Sequence, residues 1–275
     1  MTLIQVDPDK CLRDGICAAV CPAQIISFSK EDGKLPVLID NAEKLCIRCG
    51  HCVAVCPEGA LAHESMGPTD CPPVREEFHV GDEIMEHLLR SRRSIRVYRD
   101  KPVPKQVLER LIDMARYAPS GSNMQPVQWL VILEPEKVQE LGAMVVDWMK
   151  QLIGEKSPLA DLLRFDRVVA SWQEGKDRVL RGAPHLVIAH APGRERTAAA
   201  ACTIALSYLE LAAGSLSLGT CWAGYFTTAA GSWPPLAEAL AMPDDHSVFG
   251  AMMVGYPRFP YRRLPLRNPA RITWQ

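Results

Sequence analysis

The residues best suited to chemistry form a dense cysteine run, Cys46-Ile47-Arg48-Cys49-Gly50-His51-Cys52-Val53-Ala54-Val55-Cys56-Pro57. It reads C-x2-C-x2-C-x3-C-P, a spacing in which thiolates hold iron–sulfur clusters. A degenerate copy precedes it. Cys11, Cys17, Cys21 and Pro22 recur as Cys46, Cys52, Cys56 and Pro57, each 35 residues later. One position breaks the copy: Asp14 stands where its twin is Cys49. Zinc is the rival occupant, but zinc sites favour C-x2-C pairs with long spacers and would not need this run twice.

A second set of reactive types lies further along. Arg92-Arg93-Ser94-Ile95-Arg96 is followed by Ala118-Pro119-Ser120-Gly121-Ser122-Asn123-Met124-Gln125-Pro126. Cys221-Trp222-Ala223-Gly224-Tyr225-Phe226 comes next, then Gly255-Tyr256-Pro257 and Arg262-Arg263-Leu264-Pro265. Taken singly, an arginine cluster is usually a solvated face, and Pro-Ser-Gly is usually a turn. Nucleic acid is a poor partner for these arginines. Lys and Arg total 31 against 32 Asp and Glu, a net charge of -1, and no exposed aromatics interleave with the basic residues. No nucleophile–base pair emerges, and no G-x-G-x-x-G or G-x4-G-K-[ST] loop occurs.

These residues need elements to position them. The chain has 275 residues, of which 48% are hydrophobic, enough for one large domain or two smaller ones. Residues 1–64 carry the cysteine repeat, with an apolar strand-like piece before and after each run. Their own core is thin, so bound clusters must supply folding energy. Residues 65–80 are rich in Pro and Gly and read as a linker, with Cys71 a surface thiol. Residues 81–275 alternate helices and strands. Asp82 opens a helix with Ile84, Met85, Leu88 and Leu89 on one face; Pro104 opens another with Val107, Leu108, Leu111, Ile112 and Ala115. Strands run from Gln128 to Leu133, Leu186 to Ala189 and Val248 to Val254. The stretch Thr197–Ala230 is apolar, but Glu210, Gly214, Gly219 and Gly224 interrupt it. It reads as a buried helix, about 197–213, running into a strand, not as a membrane span. Cys202 and Cys221 read as small core residues. Residues 134–181 are helical by propensity, either ordinary packing around Trp148, Met149, Phe165 and Trp172 or a lid over a flat cofactor. The layout is α+β. Ten cysteines, seven of them in the two runs, indicate metal chemistry and a reducing, cytoplasmic setting rather than disulfides. The first residues show no signal peptide.

In this order, the motif R-R-S-I-R-x-Y followed by A-P-S-G-x-N-x-Q-P resembles the nitroreductase family of flavin enzymes, over about residues 82–270. The cysteine repeat resembles a two-cluster bacterial ferredoxin, so the chain resembles a ferredoxin–nitroreductase fusion. The resemblance implies a nitroreductase-like FMN domain, a central mixed sheet flanked by helices, behind a small ferredoxin-like domain. In ferredoxins of this type the fourth cysteine of each run serves the other cluster. Cys21, Cys46, Cys49 and Cys52 would then hold one [4Fe–4S] cluster, and Cys11, Asp14, Cys17 and Cys56 would surround a second, [4Fe–4S] or [3Fe–4S]. Asp14 could ligate iron, leave a three-iron centre, yield to another ligand, or be a solvated residue with no role.

The nitroreductase resemblance implies an FMN cleft at a homodimer interface. Arg92 and Arg263 would grip the phosphate, with Arg93 and Ser94 supporting it and the ribityl chain. Arg96 would lie at the pyrimidine edge, and Asn123 and Gln125 would hydrogen-bond the ring system or ribityl. Trp222, Ala223 and Gly224 would line the flavin face, with a backbone N–H near N5. No side chain is needed as a nucleophile, because flavin N5 is the reactive atom. The implied function is an oxidoreductase that passes single electrons through its Fe–S clusters to FMN and reduces a nitroaromatic, quinone or activated alkene in two-electron steps, with ferredoxin as electron donor and NAD(P)H as runner-up. The alternative is an electron-transfer or redox-sensing flavoprotein without small-molecule turnover.

Overall fold

The computed structural model describes residues 2–29 and 33–275. Its contacts group into two units, Met1–His79 with Ser122–Met124, and Val80–Gly121 with Gln125–Gln275.

The first unit is built from short pieces: β1 (Ile4–Val6), α1 (Ile16–Ala19), β2 (Ile26–Ser27), β3 (Val37–Leu38), α2 (Ala42–Leu45), α3 (His51–Ala54) and β4 (Leu61–His63). β1 pairs antiparallel with β4, setting Ile4 opposite His63, and β2 pairs with β3. The sequence repeat is also a backbone repeat. Left-handed φ angles recur 35 residues apart at Arg13 and Arg48, Gly15 and Gly50, and Gln24 and Gly59. The first two pairs wind each cysteine loop tightly before one-turn helices that carry Cys17 and Cys52, and the third turns the chain after the last cysteine of each run. Gly50 is required twice over: its φ is +73°, and a Cβ there would meet the Met66 sulfur at 2.7 Å. The core is small, with Leu3, Ile4, Cys17, Ile25, Ile26, Ala42, Val53 and Leu61 buried.

The second unit contains α4 (Asp82–Ser91), α5 (Lys105–Ala115), β5 (Gln128–Ile132), α6 (Pro135–Gly154), α7 (Pro158–Leu162), α8 (Phe165–Gln173), β6 (His185–Pro192), α9 (Ala198–Ala213), β7 (Gly219–Trp222), α10 (Gly224–Ser232), α11 (Pro234–Ala239) and β8 (His246–Gly255). Its sheet has the order β5-β6-β8-β7. Every pairing in it is antiparallel, a correction to the mixed sheet expected. The physical reason is the late insertion of β8. The crossover β6–α9–β7 leaves β6 and β7 running the same way, and β8 enters between them against both. Leu186 and Ile188 of β6, with Ala251 and Met253 of β8, pack on one side; Val187, Ala189, Met252 and Val254 pack on the other. Both faces are covered, so these strands read as continuous apolar runs rather than alternating ones.

Helices α5 and α9 cover one face, through Leu108, Leu111, Ala115, Cys202, Leu206 and Leu209. α9 with its following turn is long and apolar enough to cross a membrane, yet these contacts make it a core helix. Helices α6, α8 and α10 cover the other face. Trp148 lies 5.2 Å from Phe165, centroid to centroid, and both are buried with Met149. Part of the 134–181 segment is therefore core packing. α4 is the exception to burial: Ile84, Met85, Leu88 and Leu89, its predicted apolar face, are all exposed.

Two histidines brace the sheet. Buried His185 accepts the Val103 N–H at Nε2 (2.7 Å) and donates from Nδ1 to the Leu133 carbonyl (2.8 Å). His190 Nδ1 meets His246 Nδ1 at 2.8 Å. Burial lowers the pKa of both His185 and His190, the latter helped by His246. In the unfolded chain both return to about 6.5. The unfolded state then binds more protons just below that value, so stability is whole above it and is lost as the pH falls through the depressed folded values. Thermal unfolding followed by tryptophan fluorescence should show a falling midpoint between about pH 7.5 and 5.5. A flat profile would contradict this assignment.

Candidate functional site

In the first unit the cysteines surround two separate hollows. Cys21, Cys46, Cys49 and Cys52 line one, with His63. Cys11, Asp14, Cys17 and Cys56 line the other, with Lys10 and Glu58. Cys21 and Cys56 are thus exchanged between the two runs. Four donors, soft sulfur except for Asp14, ring each hollow, a set whose chemistry fits iron–sulfur clusters. Among the described residues no three of His, Cys, Asp and Glu close on a single ion. Backbone N–H groups already point at sulfur, Arg48 N at 3.4 Å from Cys46 Sγ and Ala60 N at 3.2 Å from Cys56 Sγ. Burial pushes the Cys52 thiol up to about 11 and raises Cys17. Ligation needs thiolates, so cluster assembly must displace those protons.

Asp14 is not idle. Its carboxylate lines the second hollow and accepts the Ile16 N–H at 3.2 Å, tying down the start of α1. Cys71 lines neither hollow; it is half-buried against the unit's core rather than a surface thiol. His63 was not singled out by the sequence reading. It is buried, its Nε2 lies 3.6 Å from Cys46 Sγ, and its Nδ1 lies 2.7 Å from Ser65 Oγ. A histidine beside a cysteine run carries no signal of its own, because its approach depends on β4 pairing with β1.

In the second unit the scattered motifs converge. Ile95 N–H donates to the Thr220 carbonyl of β7 (2.8 Å), and the Tyr98 hydroxyl donates to the Ile95 carbonyl (2.8 Å). Arg99 N–H donates to the Tyr256 carbonyl, and Arg258 N–H to the Val97 carbonyl. The segment 92–99 is therefore pinned between β7 and the chain leaving β8. Arg92 and Arg93 line a hollow of about 260 Å³ with Glu210, Thr220, Phe259 and Tyr261. Arg93 donates from Nη2 to the Arg90 carbonyl, while its buried Nε has no partner among the described residues. A buried guanidinium N–H left unmatched at a hollow fits an anionic ligand group such as a phosphate.

A second hollow, of about 350 Å³, is lined by Arg96, Arg178, Arg181, Cys221, Trp222, Gly224, Tyr225 and Met253. Ala223 is buried behind it and its N–H is taken by the Ala251 carbonyl at 2.9 Å. Gly224 lines this hollow and opens α10, where the first backbone N–H groups have no intrahelical acceptor. Burial raises Cys221, with Arg96 and Arg181 opposing, which suits the expected core cysteine.

Glu210 joins these pieces. Its carboxylate meets Arg92 Nη1 at 2.9 Å and Trp222 Nε1 at 3.4 Å. The signal was present in the sequence, since a lone acid inside an apolar helix needs a partner. The other expected flavin residues are not gathered in. Ser94 is half-buried beside Cys221 and lines neither hollow. Asn123 falls with the first unit and donates from Nδ2 to the carbonyls of Ile47 (3.2 Å) and Arg48 (3.0 Å). Gln125 and Arg263 are exposed.

A model of the nitroreductase family matches residues 89–256, and a model described as a 4Fe-4S dicluster domain matches residues 9–61. The chain is 29% identical over 197 residues to an NADH dehydrogenase of Thermus thermophilus, covering 67% of this chain and 92% of that protein. Among solved structures it is similar to an FMN-bound nitroreductase from Bacteroides fragilis, with TM-score 0.57 and 23% identity, over 71% of this chain and all of that one. A nitroreductase with bound FMN from Desulfitobacterium hafniense gives TM-score 0.57 at 21% identity, covering 71% and 99%. Both structural likenesses speak to the fold.

Proposed function

The chain belongs to the nitroreductase family, and from that premise we propose that it feeds single electrons through its N-terminal clusters to FMN for two-electron reduction of a small organic acceptor. It is an FMN-dependent oxidoreductase carrying a 4Fe-4S dicluster domain. The acceptor class is a nitroaromatic, quinone or activated alkene, and the donor is a low-potential carrier such as ferredoxin, with NAD(P)H second. The observation that carries the reading is that one chain holds both donor sets: two four-donor hollows, and an arginine-lined hollow with an orphaned guanidinium N–H.

When bound, FMN supplies hydride chemistry at N5. The chain's own residues would do the rest. Arg92 and Arg93 hold the phosphate, with Glu210 fixing Arg92 in place. Arg96 sets positive charge beside the ring, and Gly224 offers its N–H. Arg263, Gln125 and Asn123 would complete the site in a homodimer, a reading supported by the uncovered apolar face of α4. Anaerobic purification with iron, sulfide and FMN quantification, then stopped-flow reduction by NADH or by reduced ferredoxin, tests this. Rapid, stoichiometric bleaching by NADH alone would defeat the ferredoxin version. Reduction without turnover of any organic acceptor would favour an electron-transfer or sensing flavoprotein.

Asp14 gives a sharper check. If its carboxylate fails to hold a fourth iron, the protein as isolated shows a [3Fe–4S] paramagnetic signal. Asp14→Cys should then convert that signal to a second [4Fe–4S] centre. An unchanged spectrum would remove Asp14 from the cluster.

A further inference from the structure

Beyond Asp14 and Cys49, the two halves of the cysteine repeat differ in chemistry at the position of Phe28 and His63. Thirty-five residues separate Phe28 from His63. Phe28 offers no donor and does not line its hollow. His63 lines the other one, with Nε2 3.6 Å from Cys46 Sγ. The other ring nitrogen fixes which tautomer is present. The Ser65 backbone N–H lies 3.1 Å from His63 Nδ1, and a backbone N–H can only donate. Nδ1 therefore carries the lone pair, with the Ser65 hydroxyl at 2.7 Å able to donate as well. The ring proton is left on Nε2, facing sulfur. A protonated Nε2 cannot ligate iron, so the imidazole is a hydrogen-bond donor and not a fifth ligand.

We propose that His63 donates an Nε2–H hydrogen bond to the Cys46 thiolate and thereby raises the reduction potential of the Cys21–Cys46–Cys49–Cys52 cluster. The inference rests on the ligand assignment given above. Reduction adds one electron to the cluster and puts more negative charge on its sulfurs, with no bond made or broken. A hydrogen bond to Cys46 is stronger in that state, so it favours electron uptake. Cys46 also receives the Arg48 N–H, and His63 is the donor that the other half lacks. His63 is a positioning and tuning residue, not a catalytic one.

The test uses the full chain, loaded anaerobically, in a dithionite redox titration followed by electron paramagnetic resonance. His63→Phe, which installs the twin residue, should lower the reduction equilibrium constant of that cluster about tenfold, or about 59 mV for a one-electron couple. His63→Gln, whose amide N–H can replace Nε2–H, should stay near wild type. The Asp14-site cluster should not move in either variant. A fully loaded His63→Phe protein with an unshifted potential, a His63→Gln shift as large as that of His63→Phe, or equal shifts at both clusters would overturn the proposal. If His63→Phe does not load, His51→Gln protein labelled with 15N-histidine decides it, because His51 is the other histidine lining that hollow. A nitrogen coupling to the reduced cluster in pulsed resonance is expected, and its absence overturns the hydrogen bond. Cys46→Ser with undiminished iron would overturn the premise instead, which separates the two failures.

Discussion

Cys52→Ser should remove one cluster and unfold the N-terminal unit, while the second unit stays folded. The first unit has little else to hold it. Its strands are two or three residues long and its helices are single turns, both below what survives alone in water. Eight buried residues form its core, two of them Cys17 and Ala42. Metal ligation in small domains contributes on the order of 10–16 kcal/mol to folding, more than such a core can replace. Cys52 sits on α3, where burial already favours the neutral thiol, up to about 11; without iron, that thiol keeps its proton. The expected result is loss of at least half the iron, the second cluster following the first as the unit unfolds, and rapid proteolysis before residue 80. All six tryptophans lie beyond residue 128, so their fluorescence transition reports the second unit and should persist. Full iron with a protease-resistant N-terminus would refute the prediction.

The cysteine half was readable because its chemistry is written in spacing. A 35-residue offset, a Pro after each fourth cysteine and one mismatch at Asp14 were enough to expect Cys21 among the second run's ligands. One hollow is lined by Cys21 together with Cys46, Cys49 and Cys52. What spacing does not encode is the neighbour brought in by pairing. His63 reaches Cys46 because β1 and β4 register Ile4 against His63, and no local pattern announces that.

The flavin half was readable as motifs but not as one site. Apolar runs marked strands from Gln128 to Leu133, Leu186 to Ala189 and Val248 to Val254, and β5, β6 and β8 lie there; β6 and most of β8 are buried on both faces, whereas β5 is half-buried. Strand direction was missed, since local sequence does not record that β8 enters between β6 and β7. The arginines of 92–96 and the 222–224 stretch were placed near one another by hydrogen bonds to β7 and to residues 256–258. Gln125 and Arg263 were expected at the same site and remain exposed in a single chain. In the homodimer proposed above, a second copy would complete that cleft.

Gly219→Ala should be the most damaging single change in the second unit outside its core, and the structure says why. Gly219 faces Gly255 across β7 and β8. A Cβ at Gly219 would run into Ile95 Cγ1, and would meet Pro257 Cγ at 2.8 Å. Neither neighbour is the loose end of a flexible chain. Ile95 is buried and held by its N–H to Thr220, and Pro257 is bridged to Tyr98. The added methyl must therefore push the 92–98 segment off β7, at about 1–3 kcal/mol of overpacking. The same push displaces Arg92, Arg93 and Arg96, so FMN affinity should fall at least about tenfold, equivalent to about 1.4 kcal/mol. Gly224→Ala is the discriminating partner. A Cβ there meets nothing within 4 Å in the chain itself, so stability should hold near wild type. If the flavin lies against Gly224, that methyl occupies its space, and FMN affinity should fall with the fold intact. Thermal unfolding of the apoprotein and FMN titration separate the two effects. Equal FMN affinity for Gly224→Ala and wild type would move the flavin away from the start of α10, and an unshifted melting point for Gly219→Ala would show that Ile95 and Pro257 yield more easily than their anchoring implies.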